Sequence, residues 1–288
     1  MTFHCSNPDF HIRSIPENDT FAVRRQALCT SEIFRDMFAC CGDDASEDTL
    51  DLHESTGSLV ALLNLLHDPP HRPIQFKRDE SNLIPKVWND PKTVIPLPLL
   101  PALFKLADKY ALPSDTVMDV LAEHLLAHAP DAPLRVYTFA LSHGLPRSVV
   151  SDASQYLQPM ANYRLSEVTA IPVEEYHRVI QLQDFRVRKL REYLLSEEIF
   201  PHGYGACSSH TRETEKLWHS KRMSLAAKVE TLTDISGELE ETVATQEPVQ
   251  NCTVCRKACI AAVEMLRYKC RKIPRTVDKM RTVKGFED

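Results

Sequence analysis

The sequence predicts an α+β protein: a short three-stranded sheet packed with helices near the N-terminus, and only helices after it. Three observations predict this. Apolar residues alternate with polar ones twice in the first 25 residues (Phe10 and Ile12, then Phe21 and Val23), around the turn-forming residues Pro16 to Asp19. Leu59, Leu62, Leu63 and Leu66 recur at i, i+3, i+4 and i+7, the stripe of an amphipathic helix. Beyond residue 113 the helical period continues, punctuated by prolines at 130, 133, 146, 159 and 172.

Taken in order, residues 9–15 and 20–24 read as a hairpin with one buried face. Residues 27–40 read as one helix with Leu28, Phe34, Met37 and Phe38 inward, ended by Gly42 and the two aspartates after it. Leu50 and Leu52 mark a third strand over 49–53, and the leucine-striped helix then stops at Pro69, Pro70 and Pro73. Residues 76–94 show no period and read as an exposed loop insertion, centred on about 77–95. The next helix carries Leu100, Leu103, Phe104, Ala107 and Ala111. Pro113, Ser114 and Asp115 open another, with the stripe Val117, Val120, Leu121 and Leu125. Further helices are expected near 133–143, 147–157 and 173–195. A glycine-containing break at 201–210 precedes the amphipathic stretch 213–245. There Trp218, Leu225, Leu232 and Leu239 recur every seven residues, and Ser236-Gly237 interrupts. Packing against the chain's own final helix, near 255–272, accounts for that stripe. These breaks divide the chain into 8–112, a helical extension over 113–200, and a helical C-terminal module over 201–288.

Hydrophobic residues make up 43% and charged residues 26% of the 288, enough to build a true core. The net charge of −6 argues against nucleic acid as a partner. From Val249 onward ten Lys/Arg face four Asp/Glu, a balance read as a solvated helix face. The basic run 267–275 holds one aromatic residue and no nucleic-acid reading motif. Neither a basic, apolar leader nor a stretch near the ~18–20 apolar residues of a membrane span is visible, so no membrane partner is expected. The expected location is intracellular, cytoplasmic or nuclear, where thiols stay reduced. Nine cysteines then read as core packing or metal ligands. Seven glycines against 19 prolines speak against glycine-rich phosphate loops.

One constellation has ligand spacing. Cys207 and His210 lie three apart in a glycine-containing turn, and Cys252 and Cys255 lie three apart at a helix start. Such spacing lets both side chains of a pair reach one ion, and four N/S ligands suit tetrahedral zinc. A structural zinc clasp is the reading, because all four positions would come from the protein. No other cofactor is called for. Cys259, Val263, Leu266 and Cys270 share one helix face, where cysteine packs as a small hydrophobe. His124 and His128 are spaced as a helical metal pair, but the general-base glutamate of a metalloprotease is misplaced and Leu125 lies between them. They read as a structural face. Without a nucleophile elbow, Walker loop or dinucleotide fingerprint, an enzyme is not expected.

The order of elements over 8–112 resembles the BTB/POZ domain. The resemblance rests on Asp9 at the first strand, on Val23, Arg24, Arg25 and Leu28, on Ser31, Phe34, Met37 and Phe38, and on the ending Ala107-Asp-Lys-Tyr110. Residues 133–144 resemble the helical extension of fungal BTB proteins. The resemblance implies an adaptor or scaffold that binds other proteins, by self-association or, as an alternative, by bringing substrates to a cullin-type ubiquitin ligase. It implies interaction roles for Asp9, Arg25, Phe34, Met37, Phe38 and Tyr110, with Asp9 and Arg25 lining a charged pocket. Arg24-Arg25 stands where the family often has His-Lys, and only eight residues precede Asp9. Residues 39–44 lack the apolar-x-Glu motif that grips a cullin. The leucine helix and the helix from Leu100 are expected to flank a docking groove.

Overall fold

The computed structural model describes residues 3–41, 49–77, 87–203, 205–247 and 249–281. The fold is mixed α+β, with thirteen α-helices and five short strands among the described residues. It divides into two compact units, Met1–Phe76 with Asn89–His128, and Lys77–Trp88 with Ala129–Asp288.

In the first unit, β1 (Phe10–Ser14), β2 (Thr20–Val23) and β3 (Thr49–Leu52) form a sheet of order β2-β1-β3. The hairpin pairs Ile12 with Phe21, and the parallel β1–β3 pair sets Ile12 beside Leu50. This register follows from the alternation: Ile12 and Val23 are fully buried while His11 faces solvent. Asn18 closes the turn at φ +60°, a conformation asparagine tolerates.

Where one helix over 27–40 was expected, two form: α1 (Arg25–Leu28) and α2 (Glu32–Cys41). Ser31 makes the break. Its buried hydroxyl donates to the Tyr110 carbonyl at 2.5 Å and accepts from the Phe34 N–H at 3.3 Å, which caps α2. The predicted stop at Gly42 lies outside the described residues. α3 (Thr56–His67) begins at the N-cap Ser55, whose side chain accepts from the Ser58 N–H. Glu17 and Asp19 of the hairpin turn bond the Thr56 N–H and hydroxyl, setting two carboxylates at the helix N-terminus.

The segment read as a loop insertion contains two short strands, β4 (Gln75–Lys77) and β5 (Val87–Asn89), in a two-stranded sheet. Three residues are too few for an alternation to register. α4 (Leu100–Lys109) packs on α3 through Leu100, Phe104, Leu106 and Ala107. The stripe of α3 is buried as well, so the surface expected to flank a docking groove is core. A π-helical turn, Ser114–Met118, leads into α5 (Asp119–Ala127). Its stripe Val117, Val120, Leu121 and Leu125 is buried within this unit, which ends at His128.

The second unit holds α6 (Pro133–Ser142), α7 (Arg147–Ser154), α8 (Leu165–Val168), α9 (Val173–Ser196), α10 (Thr211–Ala226), α11 (Ile235–Ala244), α12 (Thr253–Arg271) and α13 (Val277–Arg281). Its core joins Leu190 and Leu194 of α9, Trp218 and Leu225 of α10, Leu239 of α11, and Cys259, Val263 and Leu266 of α12. Within this unit α9 packs against α10, α12 and α13. The heptad-like stretch is a hairpin of two helices. Arg191 of α9 donates to the Ala226 and Val229 carbonyls and so terminates α10. Asp234 accepts from the Gly237 N–H and starts α11. A Cβ on Gly237 would sit 2.8 Å from that carboxylate, so a larger residue there would displace the Asp234 side chain. Among the described residues no helix is long and apolar enough to cross a membrane.

Candidate metal centre

The chain leaves α9, turns through Gly205 at φ +76° and reaches Cys207. A side chain at Gly205 would face a strained left-handed backbone. Residues 207–210 then fold into the start of α10, with His210 as its N-cap residue and the Thr211 N–H and hydroxyl both bonded to the Cys207 carbonyl. The second pair arrives after α11. Asn251 bonds Glu247 at 2.8 Å, Cys252 is the N-cap residue of α12, and Cys255 lies in its first turn.

These two helix starts meet. The ligand atoms of Cys207, His210, Cys252 and Cys255 all lie within 4.8 Å of one another. Cys207 Sγ is 3.6 Å from Cys252 Sγ and 3.6 Å from His210 Nδ1. A tetrahedron with metal–sulfur bonds of about 2.3 Å and metal–nitrogen bonds of about 2.0–2.1 Å has edges of about 3.5–3.8 Å. The cluster could hold a metal ion. Cys255 is buried, and Cys207, His210 and Cys252 are half-buried. His210, Glu213, Glu247 and Asn251 line an open pocket of about 360 Å³, which gives solvent a path to the histidine side of the cluster.

The sulfurs have different surroundings. The amides of Ser209 and His210 hold the Cys207 thiol below its usual range. The Cys255 amide does the same for Cys252, with smaller help from the Cys255 and Cys207 side chains and the Val254 amide. Burial pushes the Cys255 thiol up, and the Thr214 hydroxyl, donating at 3.3 Å, opposes that. One turn further along α12, burial raises Cys259 to about 12, the state of a packed thiol. Cys270 is likewise raised to about 12 by burial.

The other expected site residues scatter over the first unit. Phe34 is fully buried and stacks on Tyr110 with ring centroids 5.3 Å apart, so both serve packing. Burial first, then the Glu54 carboxylate, raises the Tyr110 hydroxyl. Asp9 accepts from the Arg25 backbone N–H at 2.7 Å, holding the start of α1, while the Arg25 guanidinium lies 4.6 Å above the Phe38 ring. Met37 and Phe38 are half-buried, and Ile33 is 46% exposed on the same helix. Phe38 also meets Phe10 edge to face at 5.4 Å.

His124 and His128 bond backbone groups. Nε2 of His124 bonds the His71 carbonyl at 2.9 Å, and Nε2 of His128 bonds the Ile95 carbonyl at 2.8 Å. The basic run 267–275 is largely spent inside its own unit. Arg267 pairs with Glu240 and Lys269 with Glu197, Lys272 lies over Tyr268, and burial holds Arg275 below its usual value.

Sequence reasoning missed Thr214. Its only signal is a position four residues after His210, one helical turn on, and its partner lies 41 positions away. No family model matches the chain, and no curated protein matches it.

Proposed function

We propose that the protein is an adaptor or scaffold that works by binding other proteins, with a BTB-like first unit and a second unit clasped by structural zinc. The observation that carries the zinc reading is that four protein side chains, three sulfurs and one imidazole, bring their ligand atoms within 4.8 Å of one another, the number and kind of donors that tetrahedral zinc takes. No position is left for a water to be activated, so the metal's work is to hold helices together. When bound, zinc would supply four strong bonds between segments 45 residues apart, constraining the unfolded chain as a long cross-link does.

The BTB-like reading is supported by the order strand, strand, two helices, strand, helix, with β3 parallel to β1 and α4 packed on α3. The partner-binding face of this reading is the outer side of α2, where Ile33, Met37 and Phe38 present apolar surface beside Arg25. A second copy of the chain or a cullin N-terminal region would dock there. Sedimentation velocity on the full chain, alone and with a recombinant cullin N-terminal region, tests it. Association is expected and should weaken at least tenfold in Ile33→Glu and in Phe38→Ala. Association unchanged in both variants, or a wild-type monomer that ignores the cullin, would count against the reading.

A further inference from the structure

The geometry points to Thr214 as the positioning residue that keeps Cys255 in place as a metal ligand, by donating its hydroxyl hydrogen to the bound thiolate. This rests on the zinc reading given above. Of the three sulfurs, those of Cys207 and Cys252 stand at helix entrances, where backbone amides lack helical acceptors. Cys255 lies inside α12, and it is the buried one. Its sulfur depends on a side chain for a donor, and Thr214, itself fully buried, places Oγ 3.3 Å away.

The hydroxyl has one proton and two neighbours. Oγ also lies 2.9 Å from the His210 carbonyl, which already accepts the Thr214 backbone N–H at 2.9 Å. Turning the hydroxyl proton to sulfur therefore leaves no backbone acceptor orphaned. With a protonated Cys255, the S–H can instead donate to Oγ while the hydroxyl donates to the carbonyl. The same three atoms satisfy both forms, and only the metal-bound form makes the charge-assisted bond to a thiolate. Thr214 and His210 also share the first turn of α10, so one turn of helix supplies one ligand and the hydrogen-bond partner of another. Partners of this kind tune affinity by 10- to 100-fold.

The test compares full-length zinc-loaded wild type with Thr214→Val and Thr214→Ser. Zinc affinity is read by competition with a chromophoric chelator, and the sulfur-to-metal charge-transfer band after cobalt substitution. Valine, equal in size but without a donor, should weaken zinc binding 10- to 100-fold and move the cobalt band to lower energy, since the thiolate becomes more electron-rich. Serine should restore both to near wild type. Valine binding zinc as wild type does, or serine failing alongside valine, overturns the role given to Thr214. A wild type that binds no zinc overturns the zinc reading itself, and with it this inference. If valine lowers helix content, the serine variant and its cobalt band still decide.

Discussion

Two histidines in the first unit are each held in one neutral form by their neighbours. His124 donates from Nε2 to the His71 carbonyl at 2.9 Å and accepts the Ile95 N–H on Nδ1 at 3.3 Å. His67 uses the opposite tautomer, donating from Nδ1 to Leu63 at 3.0 Å and accepting the Arg24 N–H on Nε2 at 3.1 Å. Burial pushes both below their usual value. A depressed folded value means stability that is whole above the unfolded value, about 6.5, and is lost as the pH falls through the folded one. Hydrogen-exchange protection of α5 should therefore drop as the pH is lowered from about 7.5 toward 5. His124→Gln, which keeps a donor and an acceptor but does not titrate, should flatten that slope; an unchanged slope would remove His124 from the account. Arg186 makes the matching case in the second unit. It is 8% exposed and donates to the Thr231 and Pro274 carbonyls, and burial lowers it to about 10. Arg186→Met should cost about 2–4 kcal/mol in a urea titration, as two carbonyls lose a charged donor. Neither role was legible in the sequence. The ligand pairs were, because their partners sit three residues away, whereas the carbonyls that Arg186 meets and the sulfur that Thr214 meets lie 41 or more positions off.

At the scale of elements, hydrophobic period located the helices and polar side chains decided where they end. The stripes of α3, α5 and α12, and the helical reading of 173–195 for α9, predicted those helices to within a few residues. What period could not show was Ser31 dividing one expected helix into α1 and α2, or Arg191 and Asp234 dividing the amphipathic stretch 213–245 into α10 and α11. Each of these breaks depends on a side chain meeting a backbone group. Ser31→Ala removes both the cap of α2 and the bond to Tyr110, and should destabilise the first unit by about 1–2 kcal/mol in urea. A cost below about 0.3 kcal/mol would mean that the break has another cause. The strands β4 and β5 escaped for a different reason, since three-residue strands carry too little pattern. The α3–α4 stripes also show that a leucine-rich face predicts burial without saying what buries it.

For the whole molecule, the two units are held by different means. The first buries apolar residues that include Ile12, Phe34, Leu63 and Phe104. The second has its own core but also brings two helix entrances together at three sulfurs and an imidazole. A strong chelator should therefore raise hydrogen exchange through 205–271 while leaving α3 and α4 protected. The most direct measurement is elemental analysis of tag-free full-length protein beside the Cys252→Ser/Cys255→Ser variant. One zinc per chain in the wild type, absent from the variant, is the result the proposed clasp predicts. A wild type without zinc, or a variant that keeps it, would contradict the clasp and reduce these cysteines to ordinary thiols.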